Sequence, residues 1–179
     1  MKRIMTVLIT CLLLASMTSA AAIAIVPEII FAYPPKLDDF QADFLFYLDQ
    51  NSVILENTDF IASESDDDPP FVSYDCEPIA GANVSVTYQN DALISYYMSV
   101  PEADNYANVK LADLGLSFFM AACQLDRDQA YALFEYLTTS LEPAEYFGRQ
   151  SEIQRDGYTA SMGIAPTGMV SLVVYPDNI

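Results

Sequence analysis

The sequence predicts an α+β fold, a two-layer sandwich in which an antiparallel sheet of about five strands carries its helices on one face. Two pairs of segments alternate apolar and polar residues, and each pair is joined by a short turn, which predicts two β-hairpins. Three further segments place apolar residues at helical spacing. Burying the apolar faces of both kinds of element against each other gives helices on one face of the sheet. We therefore expect a single domain over residues 37–179.

The first 22 residues have the three-part pattern of a signal peptide. Lys2 and Arg3 precede an apolar run from Ile4 to Leu14, and a stretch of small residues with a cleavage signal follows. An uncleaved anchor extending to residue 26 is the alternative, because a charge-free stretch of about 20 residues can span a bilayer. We expect an exported protein, periplasmic or extracellular, that contacts a membrane only through such an uncleaved segment.

The mature chain is predicted to begin with an extended lead-in and a helix. Residues 23–36 contain three prolines, which favour extended backbone. Residues 38–50 then place Phe40, Phe44, Tyr47 and Leu48 at helical spacing, which predicts a helix with one apolar side.

An acidic loop is predicted after this helix. Asp66, Asp67 and Asp68 are consecutive and two prolines follow, so mutual repulsion and the lack of amide donors favour an exposed loop. A Ca²⁺ site at the three aspartates is the alternative. The segment lacks the alternating ligands and the glycine of an EF-hand loop, since Pro70 occupies the next alternate position.

The two hairpins and a pair of helices complete the prediction. Residues 71–75 form a short strand, and the hairpins comprise residues 82–89 with 92–100 and residues 158–164 with 170–175. Between the hairpins, apolar stripes predict helices over 108–125 and from Asp126 onward, joined as an αα-hairpin. Asp126 and Gln129 have the spacing of a capping box at the start of the second helix.

Two cysteines, Cys76 and Cys123, remain once the leader is removed. An even pair in an oxidising compartment predicts one disulfide, and two cysteines allow only one pairing. Two buried free thiols are the alternative.

Composition excludes several functions. The net charge of −18 repels phosphate backbones, so we expect no nucleic-acid partner. The chain has no histidine, which removes Ser-His-Asp and Cys-His catalysis and all His-containing metal sites. It also lacks the glycine-rich motifs of nucleotide-binding sites, so we predict no cofactor.

The candidate binding face lies on the polar side of the predicted sheet. Tyr97 is placed there beside Ser95 and Ser99, and Tyr175 lies on the corresponding side of the last strand. An open sheet face with tyrosines and hydroxyl groups can bind a peptide or a small ligand. Tyrosine also fits half-buried strands without any binding role, which is the simpler interpretation.

These observations favour an exported, acidic, non-catalytic binding domain whose partner is a protein or a small ligand. Two alternatives remain open. The first is a small hydrolase that uses carboxylates, which needs an acid in a desolvated cleft. The second is a structural component of the cell envelope, held by residues 4–26 as an anchor.

Overall fold

A computed structural model describes residues 29–31, 35–101, 111–145 and 148–177 of the chain. Within these residues, three helices and eight strands follow one another along the chain. They are α1 Leu37–Gln50, β1 Ile61–Glu64, β2 Phe71–Ile79, β3 Ala82–Gln89, β4 Ala92–Val100, α2 Leu111–Cys123, α3 Arg127–Thr139, β5 Glu142–Ala144, β6 Gly148–Arg155, β7 Tyr158–Ile164 and β8 Val170–Pro176. The signal peptide predicted for residues 1–22, the alternative anchor to residue 26 and the predicted start of α2 at residue 108 lie outside the described residues.

The α+β prediction is confirmed, but the sheet is larger than expected. It is an open antiparallel sheet with eight strands, not about five, in the order β1-β2-β3-β4-β8-β7-β6-β5. The missed strands are β1 and β5, which form the two edges, and β6, which lies next to β5. Among the described helices, none is both long and apolar enough to cross a bilayer.

The missed strands lack the alternation of apolar and polar residues by which a half-buried strand is recognised in a sequence. All four residues of β1 are exposed, so no apolar face is needed there. Strand β5 has only three residues and includes Pro143. Strand β6 is polar except for Gly148 and Ile153, and only Ser151 and Ile153 in it are buried, so its sequence shows no apolar alternation.

All three described helices contact the same face of the sheet. In α1, the ring of Phe40 stacks on Tyr96 of β4. In α2, a Cβ built on Gly115 would lie 3.3 Å from Cδ1 of Leu172 in β8. In α3, the carbonyl of Leu137 accepts a hydrogen bond from the Ser151 hydroxyl of β6. We call this side of the sheet the helix face.

Aromatic rings fill the core between α1 and the sheet. Phe40, Phe44 and Leu48 repeat every four residues along α1 and have no exposed surface. The Phe40 ring packs in parallel with Phe44, 5.6 Å away between centroids, and edge-on against Phe118 of α2. Phe40 is therefore the point at which α1, α2 and the sheet meet.

Helices α2 and α3 approach each other closely at a glycine. A Cβ on Gly115 would lie 2.4 Å from Cε2 of Phe134, so only glycine leaves room for that ring. At the start of α3, the Asp126 carboxylate accepts a hydrogen bond from the Gln129 amide, and the Gln129 side chain accepts one from the Asp126 amide. The predicted capping box is therefore confirmed.

The disulfide prediction is wrong, because Cys76 and Cys123 are both unbonded and buried. The Cys76 thiol is directed at the carbonyl oxygen of Asn57, 3.9 Å from its sulfur. Cys123 ends α2 and lies close enough to Tyr96 to interact with it electrostatically. The prediction rested on the number of cysteines and on an oxidising compartment. A disulfide also requires that the two side chains point towards each other, which neither observation can show.

Burial also keeps both thiols protonated. It raises the pKa of Cys76 to about 11, aided by the nearby Asp59 and Glu77, and it raises the pKa of Cys123 as well. The thiolate is the reactive form of cysteine, so both groups are expected to be inert at neutral pH.

We predict that both thiols resist a thiol-specific reagent at pH 8 until the protein unfolds. The test uses a Cys11→Ser chain without reductant, so that Cys76 and Cys123 are the remaining thiols. Ellman's reagent should label neither in the folded protein and both in denaturant. Failure to label either one in denaturant would indicate that the pair is bonded after all.

Candidate functional site

The side of the sheet opposite the helix face is built from hydroxyl side chains. Tyr96 points towards α1, so its neighbour Tyr97 points to the other side. Cross-strand pairs extend that side from β1 to β7. Its serines and threonines are Ser63, Ser73, Ser85, Thr87, Ser95, Ser99, Thr159, Ser161 and Ser171. Ser85, Thr159, Ser161 and Ser171 among them are buried, and the other five keep exposed surface. We call this side of the sheet, together with Tyr97 and Tyr175, the hydroxyl face.

The four residues predicted for binding lie together on the hydroxyl face. Ser85 and Val173 flank Tyr97 on the neighbouring strands β3 and β8. The Tyr97 hydroxyl is 3.3 Å from the Ser171 hydroxyl, and Ser171 pairs with Ser99. Continuing the same register sets Ser95 opposite Tyr175, next to the Tyr96–Val174 pair. The structure thus groups the four side chains, and a role for them in binding stays a prediction.

The hydroxyl face is wide, and its charges are negative. Eight strands at about 4.8 Å spacing make it about 34 Å across. Asp75 lies in the same cross-strand row as Ser85, and Glu152 pairs with Ser161 near the far edge. Arg149 and Arg155 alternate with Glu152 along β6, so they point to the helix face instead. The two other basic residues in the described ranges, Lys36 and Arg127, adjoin the starts of α1 and α3.

A concave site lies on the helix face, between the start of α1 and the β3–β4 turn. It encloses about 530 Å³. We call it the tyrosine groove, and its lining residues are Lys36, Leu37, Pro70, Val72, Tyr74, Tyr88, Asn90 and Asp91.

Two tyrosines form the aromatic wall of the tyrosine groove. The rings of Tyr74 and Tyr88 meet edge to face, with centroids 6.2 Å apart. Burial raises the pKa of Tyr88, and the carboxylate of Asp38 adds to that effect, whereas a hydrogen bond from the Leu37 amide opposes it. The Tyr96 hydroxyl, farther inside, donates to the carbonyl of Pro35. The wall therefore offers two aromatic rings, of which Tyr88 is anchored by the Leu37 amide.

Sequence reasoning missed this groove because its residues come from separate segments. The hairpin predicted for residues 82–89 with 92–100 contains Tyr88 as a strand residue and Asn90-Asp91 as its turn, without indicating that they line one groove. Asn90 and Asp91 both have left-handed backbone, as that turn requires, with φ of 51° and 62°. The one available signal was Lys36, a rare cation in an acidic chain.

A second, polar cavity lies where α3 ends beside β5 and β6. It encloses about 620 Å³ and includes Glu142, Glu152 and Tyr136 in its lining. Both glutamates are exposed, and no described Asp or Glu is buried. The carboxylate hydrolase needs a desolvated acid, so this cavity gives that alternative no support.

The acidic loop is exposed at Asp66, Asp67 and Asp68, as the sequence predicts. Its shape comes from Ser65, whose hydroxyl accepts hydrogen bonds from the amides of Asp67 and Phe71. Across the described ranges, no group of three or more His, Cys, Asp or Glu side chains is arranged to hold a metal ion. The Ca²⁺ alternative therefore gains no support from the loop.

No protein-family model, curated protein or solved structure matches the chain. Function must therefore be inferred from the chemistry of these surfaces.

Proposed function

We propose that the protein is an exported, non-catalytic binding domain whose hydroxyl face docks a basic protein partner. The observation that carries this proposal is a sheet face crowded with hydroxyl groups and free of described cations, with Tyr97 near its centre. Tyrosine supplies apolar contact area together with a polar tip, which is why it is enriched where proteins meet.

The negative charge of the protein favours a basic protein as the partner over an acidic protein or a nucleic acid. Asp75, Glu142 and Glu152 are the charged groups placed on the hydroxyl face by its cross-strand pairs. The whole chain has a net charge of −18, so its field accelerates the approach of a cation and slows the approach of an anion. Exposed charges alone add little affinity, so the tyrosines and hydroxyls must supply the close contact.

The size of the hydroxyl face also suits a protein. A typical interface takes about 800 Å² from each partner. The face is about 34 Å across, and Ser95, Tyr97 and Ser99 near its centre keep exposed surface, whereas Ser85, Thr159, Ser161 and Ser171 are buried. An open sheet face leaves most of a small ligand in contact with water, whereas small-molecule sites are usually concave.

Site-specific photocrosslinking in the native host tests the proposal. A benzophenone amino acid is introduced in place of Tyr97, and in a second strain in place of Tyr131, which is 57% exposed on α3. We expect the probe at position 97 to capture one reproducible protein with a basic isoelectric point from the envelope or secreted fraction. The probe at position 131 should not capture it.

Several outcomes would contradict the proposal. Equal capture from both positions would show contact without a preference for the hydroxyl face. Capture of an acidic protein would reject the charge argument, and no capture at position 97 would reject docking at this face. Detection of the chain in the cytoplasm alone would reject export.

A further inference from the structure

The tyrosine groove presents one positive and one negative side chain that do not pair with each other. Lys36 precedes α1 and Asp91 belongs to the β3–β4 turn, so the two charges come from different segments. Neither forms an ion pair with any residue in the described part of the chain. Both groups are exposed at the groove and available to a ligand.

These two charges select the class of ligand. A ligand with a single charge is attracted by one of them and repelled by the other. A zwitterion with an ammonium and a carboxylate can pair with both, its carboxylate with Lys36 and its ammonium with Asp91. Asp38, near enough to Tyr88 to affect it, adds negative charge beside the groove and further disfavours a simple anion.

The remaining walls suit an apolar body. Leu37, Val72 and Pro70 add aliphatic surface to the rings of Tyr74 and Tyr88. The volume of about 530 Å³ lies within the usual range for small-molecule sites, about 300–1,000 Å³. That space is more than a single amino acid fills.

We infer that the tyrosine groove binds a zwitterionic di- or tripeptide with apolar side chains. The terminal carboxylate pairs with Lys36, the terminal ammonium pairs with Asp91, and the side chains pack on Tyr74 and Tyr88. The groove lies on the helix face and shares no residue with the hydroxyl face. The test of this inference is therefore independent of the test of the proposed docking of a basic protein.

Calorimetric titration of the full chain with the dipeptide Leu-Phe tests the inference. We expect saturable binding at one site. Acetylating the ligand's amino group or amidating its carboxyl group should each weaken binding about fivefold, the upper range for one exposed ion pair.

Two variants assign each charge to its partner. Lys36→Met keeps the apolar stem of the side chain, so Leu-Phe and its amide should then bind equally. Asp91→Asn suits the left-handed backbone at this position, so Leu-Phe and its acetylated form should then bind equally. Arg127→Met removes an exposed cation outside the groove and should leave all three affinities unchanged.

The inference is overturned by any of three results. Leu-Phe could fail to bind at millimolar concentration although circular dichroism shows folded protein. The acetylated and amidated forms could bind as tightly as Leu-Phe, which would leave the two charges without a role. Lys36→Met and Asp91→Asn could leave the preference for free termini intact, which would place binding elsewhere.

Discussion

Replacing Phe40 with alanine is expected to lower the free energy of unfolding by about 3–5 kcal/mol, the usual cost of removing a buried phenylalanine. The ring has no exposed surface and contacts both Phe44 on its own helix and Tyr96 in the sheet. It also meets Phe60 and Phe118 edge to face. Alanine would leave a cavity among four aromatic rings that cannot all move to fill it. Denaturant titration followed by circular dichroism measures the loss.

Phe46→Ala is the matched control, because it makes the same change six residues later on the same helix. Phe46 is 56% exposed, and its ring contacts only the neighbouring Tyr47 among the described aromatic pairs. We expect a loss of less than about 1 kcal/mol, as is usual for surface positions. Equal losses at the two positions would mean that α1 does not pack through Phe40.

The central elements were predictable because their sequences carry a strong period. The alternation in β3, β4, β7 and β8 follows the two faces of the sheet, because their apolar residues lie on the helix face. Thr159, Ser161 and Ser171 on the opposite face are buried as well. Phe40 and Phe44 likewise mark the buried side of α1. In these segments, local sequence and long-range packing agree, so the pattern alone identifies the element.

The edges of the sheet were not predictable from the same pattern. Residues such as Glu64 in β1 are exposed, so pairing with a neighbouring strand determines their structure and side-chain burial does not. The disulfide prediction failed for a related reason. Counting Cys76 and Cys123 shows how many partners exist, whereas bonding depends on where each side chain points.

The candidate sites likewise differ in whether the sequence alone predicts them. The grouping of Tyr97 with Ser95 and Ser99 could be predicted, because residues two apart on one strand share a face. The tyrosine groove could not be predicted, because Lys36 and Asp91 come from distant segments and line one groove only in the folded chain. Residues that share a face of one strand or helix can be recognised from the sequence. A site formed by several elements can be recognised only when their arrangement in the fold is known.

Replacing Tyr97 with alanine is expected to weaken binding of the basic partner about tenfold or more, as truncating a central interface tyrosine often does. The side chain lies at the middle of the hydroxyl face, between Ser85 and Val173. Its hydroxyl contacts Ser171 only at 3.3 Å, so most of the loss should come from the ring. Tyr97→Phe is therefore expected to retain most of the affinity.

The most direct test of the account is the affinity of the chain for the protein captured at position 97, measured by calorimetry. The account predicts that Tyr97→Ala weakens binding about tenfold and that Tyr131→Ala leaves it unchanged. It also predicts weaker binding when salt rises from about 0.05 M to 0.3 M, because opposite charges attract the two proteins. If neither Tyr97→Ala nor added salt changes the affinity, the proposal that the hydroxyl face binds a basic protein is contradicted.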